Sequence, residues 1–436
     1  MSKILVYTSI VTERLKYAFN LVLNDQLGLE VFYSSNLNEF NAAGDIKINY
    51  SLGALENSIH IKPSKLLFER DINEAIPNIG SVADFKVLYK SDTACDLGFD
   101  IFAASFYLVS RYEEYLPFTP DRFGRYRAED SLAYKHDLLK IPSVNIWCEF
   151  LKEKLQRYHP KLNFKVRKYE YICTLDIDNA FAYKGKGLVR NLGGLIKDTL
   201  AGKVSKIFNR VMALLNLKKD PFDTYDFQEK VIKENNLQSI YFFLLGNYGP
   251  FDKNLDHRCQ SLRSIIRRCR MFAQVAIHPS FASNSKATNQ VETARLVEIL
   301  EGESVTKSRQ HYLKVTFPET YAALITAGIK EDYTLGHASI PGFRAGICTP
   351  FFFFNLKTNQ VTDLKIFPLS IMEGTLKQYL NLSPDKAIEE YRKIIDEVKK
   401  VNGLFISLWH NDSLSDKYEW KGWRRVFFEM VRLAAN

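Results

Sequence analysis

From about residue 168 onward, short apolar runs alternate with stretches of helical periodicity, and that rhythm leaves few folds open. The strand candidates are YICTLDID (171–178), QSIYFFLLGN (238–247), MFAQVAIH (271–278), a short one near Ser304, EDYTLGH (331–337) and GLFISLWH (403–410). Between them lie YDFQEKVIKENN, QSLRSIIRRCR, NQVETARLVEILEG, PETYAALITAG and DKAIEEYRKIIDEVKKV, with WKGWRRVFFEMVRLAA closing the chain. Strand–helix alternation is the signature of a mostly parallel α/β sheet. Six or more such units in roughly 270 residues predict a barrel or a broken barrel. Residues 1 to about 160 have a different texture. ILVYTSI, LEVFYSS and IHIKPS alternate with the helical stretches ERLKYAFNLVLND and FDIFAASFYLVSRYEEYLPF, and one more amphipathic helix follows Pro142. That mixture predicts a small α/β domain ahead of the larger one, so the expected units are 1–160 and 168–436.

In a parallel βα architecture, chemistry gathers at the carboxyl ends of the strands. Polar residues recur at those ends. Asp176 and Asp178 close the first strand, His278 the third, and His410, Asn411 and Asp412 the last. Arg309 and His311 follow the short fourth strand, Asp332 and His337 bracket the fifth, and Arg344 lies just beyond it. One carboxylate and two imidazoles make a site for Zn, Co, Mn or Fe. A second carboxylate beside the ion could act as general base, and a histidine on the opposite rim could protonate a leaving group. A cation between the aspartates would also offset their mutual repulsion. Each residue has a structural counterpart role: the Asp pair as a turn or helix cap, His278 as a strand end, Arg344 as an ion-pair strut, His337 as a loop residue. His60, His136, His159 and His257 belong to no constellation.

The motifs resemble those of the polysaccharide deacetylases (carbohydrate esterase family 4-like), over roughly residues 168–436. TLDID resembles the first motif of that family, HPSFAS the second and LWH the last. The resemblance implies a distorted (β/α) barrel with Asp176 as base, Asp178 and His278 as metal ligands and His410 as acid. The third motif, an arginine followed by proline and an aromatic, fits either Arg309 or Arg344. The sequence departs from the pattern where the second motif has another histidine: Ala282 stands there. Three outcomes follow. His311 supplies the third ligand, or Asp178 and His278 hold the ion with waters, or the barrel is a degenerate glycan-binding scaffold. SRYEEYLPF and DRFGRY are similar to a bacterial subfamily with its own N-terminal domain, associated with surface-polysaccharide synthesis. The implied function is metal-dependent N-deacetylation of a sugar in a surface polysaccharide or its precursor. The ion would be Zn, with Co, Ni or Mn as alternatives.

Composition narrows the setting. With 46% hydrophobic and 25% charged residues, the chain reads as a soluble globular protein. No apolar segment approaches the roughly 18 residues of a membrane span. MSKILVYTSIV reads as a first strand. Six scattered cysteines without a CxxC pair fit free thiols in a reducing compartment, hence the cytoplasm. The net charge of +9 is concentrated: nine Lys and Arg lie between Lys184 and Lys219, against Asp198 alone. This insertion at about 184–219 has apolar residues near helical spacing. It predicts a basic amphipathic hairpin that packs on its own barrel as a solvated insertion, lies on an anionic inner leaflet, or grips an acidic lipid-linked substrate. Nucleic acid is not expected, because the segment carries no known motif and no aromatic stacking platform.

Overall fold

The computed structural model describes residues 2–435 except 45, 75 and 92–94. Its first sheet has four parallel strands in the order β2-β1-β3-β4: β1 Ser2–Tyr7, β2 Leu29–Ser34, β3 Ile46–Asn49 and β4 Ile59–His60. The helix Glu13–Phe19 starts at Thr12, whose side chain accepts from the Leu15 backbone N–H, a standard N-cap. A separate hairpin, β5 Ile79–Val82 with β6 Phe85–Leu88, and the helices Ile101–Val109 and Ser143–Tyr158 complete this part.

The second sheet contains β7 Glu170–Ile177, β8 Gln238–Leu244, β9 Gln274–His278, β10 Lys307–Ser308, β11 Glu331–Asp332, β12 Phe351–Asn355, β13 Gln360–Ile366, β14 Ile371–Met372 and β15 Leu404–His410. Their order is β12-β13-β11-β10-β9-β8-β7-β15-β14, parallel throughout except for the β12–β13 hairpin. β7, β8 and β15 are near-continuous apolar runs because both faces are covered. One face packs on amphipathic helices such as Pro384–Lys400, whose Tyr391 stacks on Trp409 with centroids 5.8 Å apart. Ser383 caps that helix and Pro384 takes its first turn. The other face encloses a second, smaller core that includes Ile172, Ile240, Phe242, Ala276, Ile406 and Leu408.

The ladder is open: among the described residues, no pairing joins the edge strands β12 and β14. β13 and β14 are nonetheless linked by only four residues. In that link Leu369 N–H donates to Leu335 O and Ser370 N–H to Ile406 O. The sheet thus curls around the inner core without an unbroken closed ladder, which differs from the complete barrel the strand count allows. β10, β11 and β14 are two residues each, too short to carry a full barrel wall.

The two sheets share one large hydrophobic core. Polar ties cross between them: Tyr17 OH donates to Phe352 O at 2.6 Å, Arg14 Nε to Asn359 Oδ1 at 2.9 Å, and Arg344 pairs with Glu114.

Candidate functional site

Alternation along the strands decides which side chains meet. Side chains two apart share a face, so Thr174 and Asp176 follow Ile172 onto the inner face of β7. His278 follows Ala276 there, and His410 follows Ile406 and Leu408. Register sets their depth: Asp176 is level with both His410 and Phe242, and Leu244 with His278. The polar residues therefore gather at the carboxyl end of the inner core.

Asp178, one residue past β7, is the hub. His278 Nε2 lies 3.3 Å from its Oδ1, and His311 Nε2 lies 3.3 Å from its Oδ2. His410 Nε2 is 3.9 Å from the same Oδ2. Each imidazole is held from behind through Nδ1. His278 donates to Arg309 O, His311 to Asp252 Oδ1 at 2.8 Å, and His410 to Glu373 Oε1 at 2.8 Å. Hydrogen bonds at Nδ1 fix the tautomer and aim Nε2, which is how metal-ligating histidines are oriented.

The electrostatics follow this layout. Burial works against charge on Asp178, yet His311, His278 and His410 hold its carboxyl well below the usual carboxylate range. Burial likewise opposes charge on His311, but Asp178 and Asp252 push it up to about 9. His410 is raised well above its ordinary value, with burial outweighed by Glu373, Asp178 and Asp176. Asp412, on the cavity wall, is pushed up to about 6 by burial, against the pull of His410.

The second aspartate has a different set of partners. Asp176 is almost fully buried, and Arg309 Nη1 donates to its Oδ1 at 3.0 Å. The same Nη1 donates to Thr174 Oγ1, Arg309 Nε donates to Tyr333 O at 3.0 Å, and the guanidinium lies 4.5 Å from the Phe242 ring centroid. Asp176 Oδ2 is also 3.7 Å from His278 Nε2. The two aspartates therefore occupy distinct environments, one beside an arginine and one among imidazoles.

Asp178, His278 and His311 offer three ligand atoms that all lie within 4.8 Å of one another. A tetrahedral ion with bonds of about 2.0–2.1 Å sets its ligand atoms roughly 3.3 Å apart. Each imidazole Nε2 stands 3.3 Å from one oxygen of the Asp178 carboxylate, His278 from Oδ1 and His311 from Oδ2, which is near that spacing for each nitrogen–oxygen pair. Asp178 Oδ1 is moreover buried with no hydrogen-bond partner, an acceptor that a cation would satisfy. One carboxylate and two imidazoles, which release their Nε2 protons when an ion binds, suit Zn or a neighbouring divalent ion.

Of the residues singled out from sequence, Asp176, Asp178, His278, Arg309, His311 and His410 come together, whereas Arg344 does not. It is buried elsewhere, with Nε and Nη2 on the Glu114 carboxylate at 2.9 and 2.5 Å and Nη1 on Gly336 O. Asp332 is consumed by Ser308 on neighbouring β10 and by Thr334 just past its own strand. At Ala282 the chain uses its backbone: the Phe281 and Ala282 N–H groups donate to Asp252, which in turn holds His311. Gly246 permits that approach, because a Cβ there would sit 2.4 Å from Ser280 Cβ. Asp252 and Glu373 escaped the sequence reading. Both follow strands, after β8 and β14, and recognising β14 would have drawn attention to Glu373.

The cluster opens into a cavity of about 210 Å³ walled by Tyr312, Tyr379, Met372 and Trp420. A neighbouring chamber of about 510 Å³, lined by Phe123, Tyr126 and His337, shares Arg125, Leu313, Ala338 and Tyr379 with it. Arg125 links the walls, donating to Tyr312 O at 2.8 Å and Tyr379 OH at 3.1 Å. A larger cavity of about 970 Å³ lies at the opposite edge of the sheet, beside Glu170, Gln238 and Gln274 at the strand starts. That end of a parallel sheet is not where its chemistry gathers.

Residues 4–160 match a family described only as a family of unknown function (DUF7033). No curated protein matches the chain. Among solved structures, the chain is similar to a Mycobacterium smegmatis protein assigned as a polysaccharide deacetylase, at 16% identity and a TM-score of 0.39, covering 62% of this chain and 86% of that one. It is also similar to 4-alpha-glucanotransferase from Thermococcus litoralis, at 12% identity and a TM-score of 0.34, covering 62% of this chain and 37% of that one. A third likeness is to 7,8-dihydropteroate synthase from Vibrio fischeri ES114, at 10% identity and a TM-score of 0.29, covering 63% and 95%. Likenesses this distant, to three different activities, leave the function to the site itself.

Proposed function

We propose that the chain is a metal-dependent hydrolase that removes N-acetyl groups from a sugar of a bacterial surface polysaccharide or its precursor. The observation that carries this reading is the convergence of three histidine Nε2 atoms on Asp178, each ring held from behind. Residues 168–436 form its distorted (β/α) barrel, the basic hairpin at about 184–219 is an insertion in it, and residues 1–160 are an accessory α/β domain. Its site faces the cytoplasm.

Asp178, His278 and His311 would hold the ion, which when bound supplies Lewis-acid chemistry that polarises an amide carbonyl and lowers the pKa of water. Arg309 and Thr174 keep Asp176 placed, and Asp176 accepts the proton of the attacking water. Glu373 favours the imidazolium form of His410, which hands a proton to the departing nitrogen as the carbon–nitrogen bond breaks. The products are acetate and a free amine. The aromatic walls and the adjoining chamber suit a glycan longer than one sugar.

The test is acetate release from N-acetylated oligosaccharides by the metal-supplemented protein. Turnover abolished by a chelator and by His410→Ala supports the reading. Metal-replete protein that binds such glycans and releases no acetate would leave a non-catalytic glycan-binding barrel instead.

A further inference from the structure

The hairpin that follows Asp178 is built inside out. In the helix Gly187–Leu200 the buried residues are Asn191 and Asp198, and in Val204–Leu214 they are Arg210 and Ala213. Arg210 Nη2 donates to Asp198 Oδ2 at 2.6 Å and its Nη1 to Asn191 Oδ1 at 3.1 Å, so polar groups form the seam between the helices. The apolar side chains turn the other way. Leu188, Leu192, Ile196 and Leu200 recur every fourth residue, and Val204, Phe208, Val211 and Leu215 follow at spacings of four, three and four. All eight are between 43 and 85% exposed. Residues three or four apart share a helix face, so each helix carries an outward apolar stripe. Eleven of the 31 exposed large apolar side chains among the described residues fall between Leu188 and Leu217. A merely solvated insertion would show the reverse pattern.

Charge narrows what covers these stripes. Asp198 is the segment's one acid and Arg210 neutralises it, so eight basic residues remain without an acid in the segment. Exposed Lys197 and Lys203 flank the turn between the stripes. A second copy of this chain would bring two such basic segments face to face, and their repulsion disfavours that occupant. A layer of anionic headgroups above hydrocarbon satisfies both features at once, with apolar stripes in the acyl boundary and lysines at the phosphates.

We infer that residues 184–219 form a docking surface for an anionic phospholipid bilayer. Among the described residues no helix is long and apolar enough to cross a membrane, so the hairpin lies in the interface. Hydrogen bonds tie the hairpin to the body of the protein. The Asp220 carboxylate accepts from the Ala182, Tyr183 and Lys184 N–H groups at the hairpin's base, and Asn209 donates to Tyr418 OH at 2.7 Å. Tyr418 is two residues from Trp420 on the wall of the candidate site. Docking therefore brings that rim to the lipid–water boundary, where a lipid-borne glycan would be presented. This consequence rests on the function proposed above, whereas the docking itself does not.

The test is co-sedimentation of the full chain with vesicles of phosphatidylcholine alone and of a phosphatidylcholine–phosphatidylglycerol mixture, with size-exclusion light scattering in parallel. Binding to the mixture is expected, at least tenfold tighter than to phosphatidylcholine alone and weakened by salt. Substituting Leu188→Ser, Leu192→Ser, Ile196→Ser and Leu200→Ser together should cut it at least tenfold with an unchanged thermal melt, since these side chains leave the core intact. Lys197→Glu with Lys203→Glu should weaken only the anionic arm. No binding to the mixture, or equal binding by the fourfold variant, overturns the inference. So does a solution dimer that the fourfold variant makes monomeric, which would assign the stripes to self-association. Acetate release is not read, so failure here is distinct from failure of the hydrolase reading.

Discussion

Glu114 offers a sharp test of how the first sheet's segment is joined to the second. Its carboxylate is about 2% exposed and is shared by two buried guanidinium groups. Arg111 Nε donates to Oε1 at 2.8 Å, and Arg344 donates to Oε1 at 2.9 Å and Oε2 at 2.5 Å. Arg111 also reaches Glu113 Oε1 at 2.8 Å, so Glu113 and Glu114 together neutralise two arginines. Glu114→Gln keeps the shape, removes one charge and turns an amide N–H₂ toward a donor. Hydrogen bonds to charged groups contribute about 1.5–3 kcal/mol each, and breaking a buried pair costs about 3–5 kcal/mol. With a urea m-value near 3 kcal/mol per M, the unfolding midpoint should fall by roughly 1–2 M, read from tryptophan fluorescence. pH supplies the sign check. Burial opposes charge on Glu114, but Arg344 and Arg111 hold its folded pKa below the ordinary 4.5. Its contribution is therefore present above that value and lost as pH falls through the folded pKa. The gap between wild type and variant should be widest near neutrality and close under acid. A loss below about 1 kcal/mol, or a gap indifferent to pH, would refute the buried-strut account.

Three further outcomes follow from the site. Glu373→Gln should lower the His410 pKa toward 6.5, seen in the imidazole NMR titration, and cut kcat by roughly 10²-fold, the scale of a mispositioned acid catalyst. Asp252→Asn should weaken metal binding about 10–100-fold, measured by competition with a chromogenic chelator, because His311 loses the partner that orients it. Arg309→Lys should leave metal content unchanged while lowering turnover, since a single ammonium cannot hold Asp176, Thr174 and Tyr333 O together.

Much of this was legible in the sequence, for identifiable reasons. β7, β8, β9 and β15 announce themselves as apolar runs because helices cover one face and the inner core the other. Their polar ends mark the rim. β10 and β11 are legible only as neighbourhoods, because each is a two-residue ladder placed by tertiary contacts. β12 and β13 were missed: FFFFNLKTNQVTDLKI was assigned no element, and the largely exposed start of QVTDLKI offers little apolar signal. Its hairpin turn includes Asn359 in the left-handed region, an asparagine-compatible turn. Arg344 drew attention through its aromatic surroundings, yet its carboxylate partner lies 230 residues away and no local pattern could reveal it. Asp252 and Glu373 were invisible for the same reason: the imidazoles they hold come from distant strands. Ala282 is the instructive case. The backbone N–H groups of Phe281 and Ala282 hold Asp252, Asp252 holds His311, and His311 Nε2 lies 3.3 Å from Asp178, an arrangement in space that no motif of fixed spacing could contain.

The most direct measurement is the metal content of the full chain purified without chelator, alongside Asp178→Ala and Asp176→Asn. About one divalent ion per wild-type chain is expected, lost in Asp178→Ala and retained in Asp176→Asn, because Asp178, unlike Asp176, faces the imidazoles of both His278 and His311. Wild-type protein that binds no divalent ion, or binding that survives Asp178→Ala, would contradict the assignment of these three residues as a metal centre.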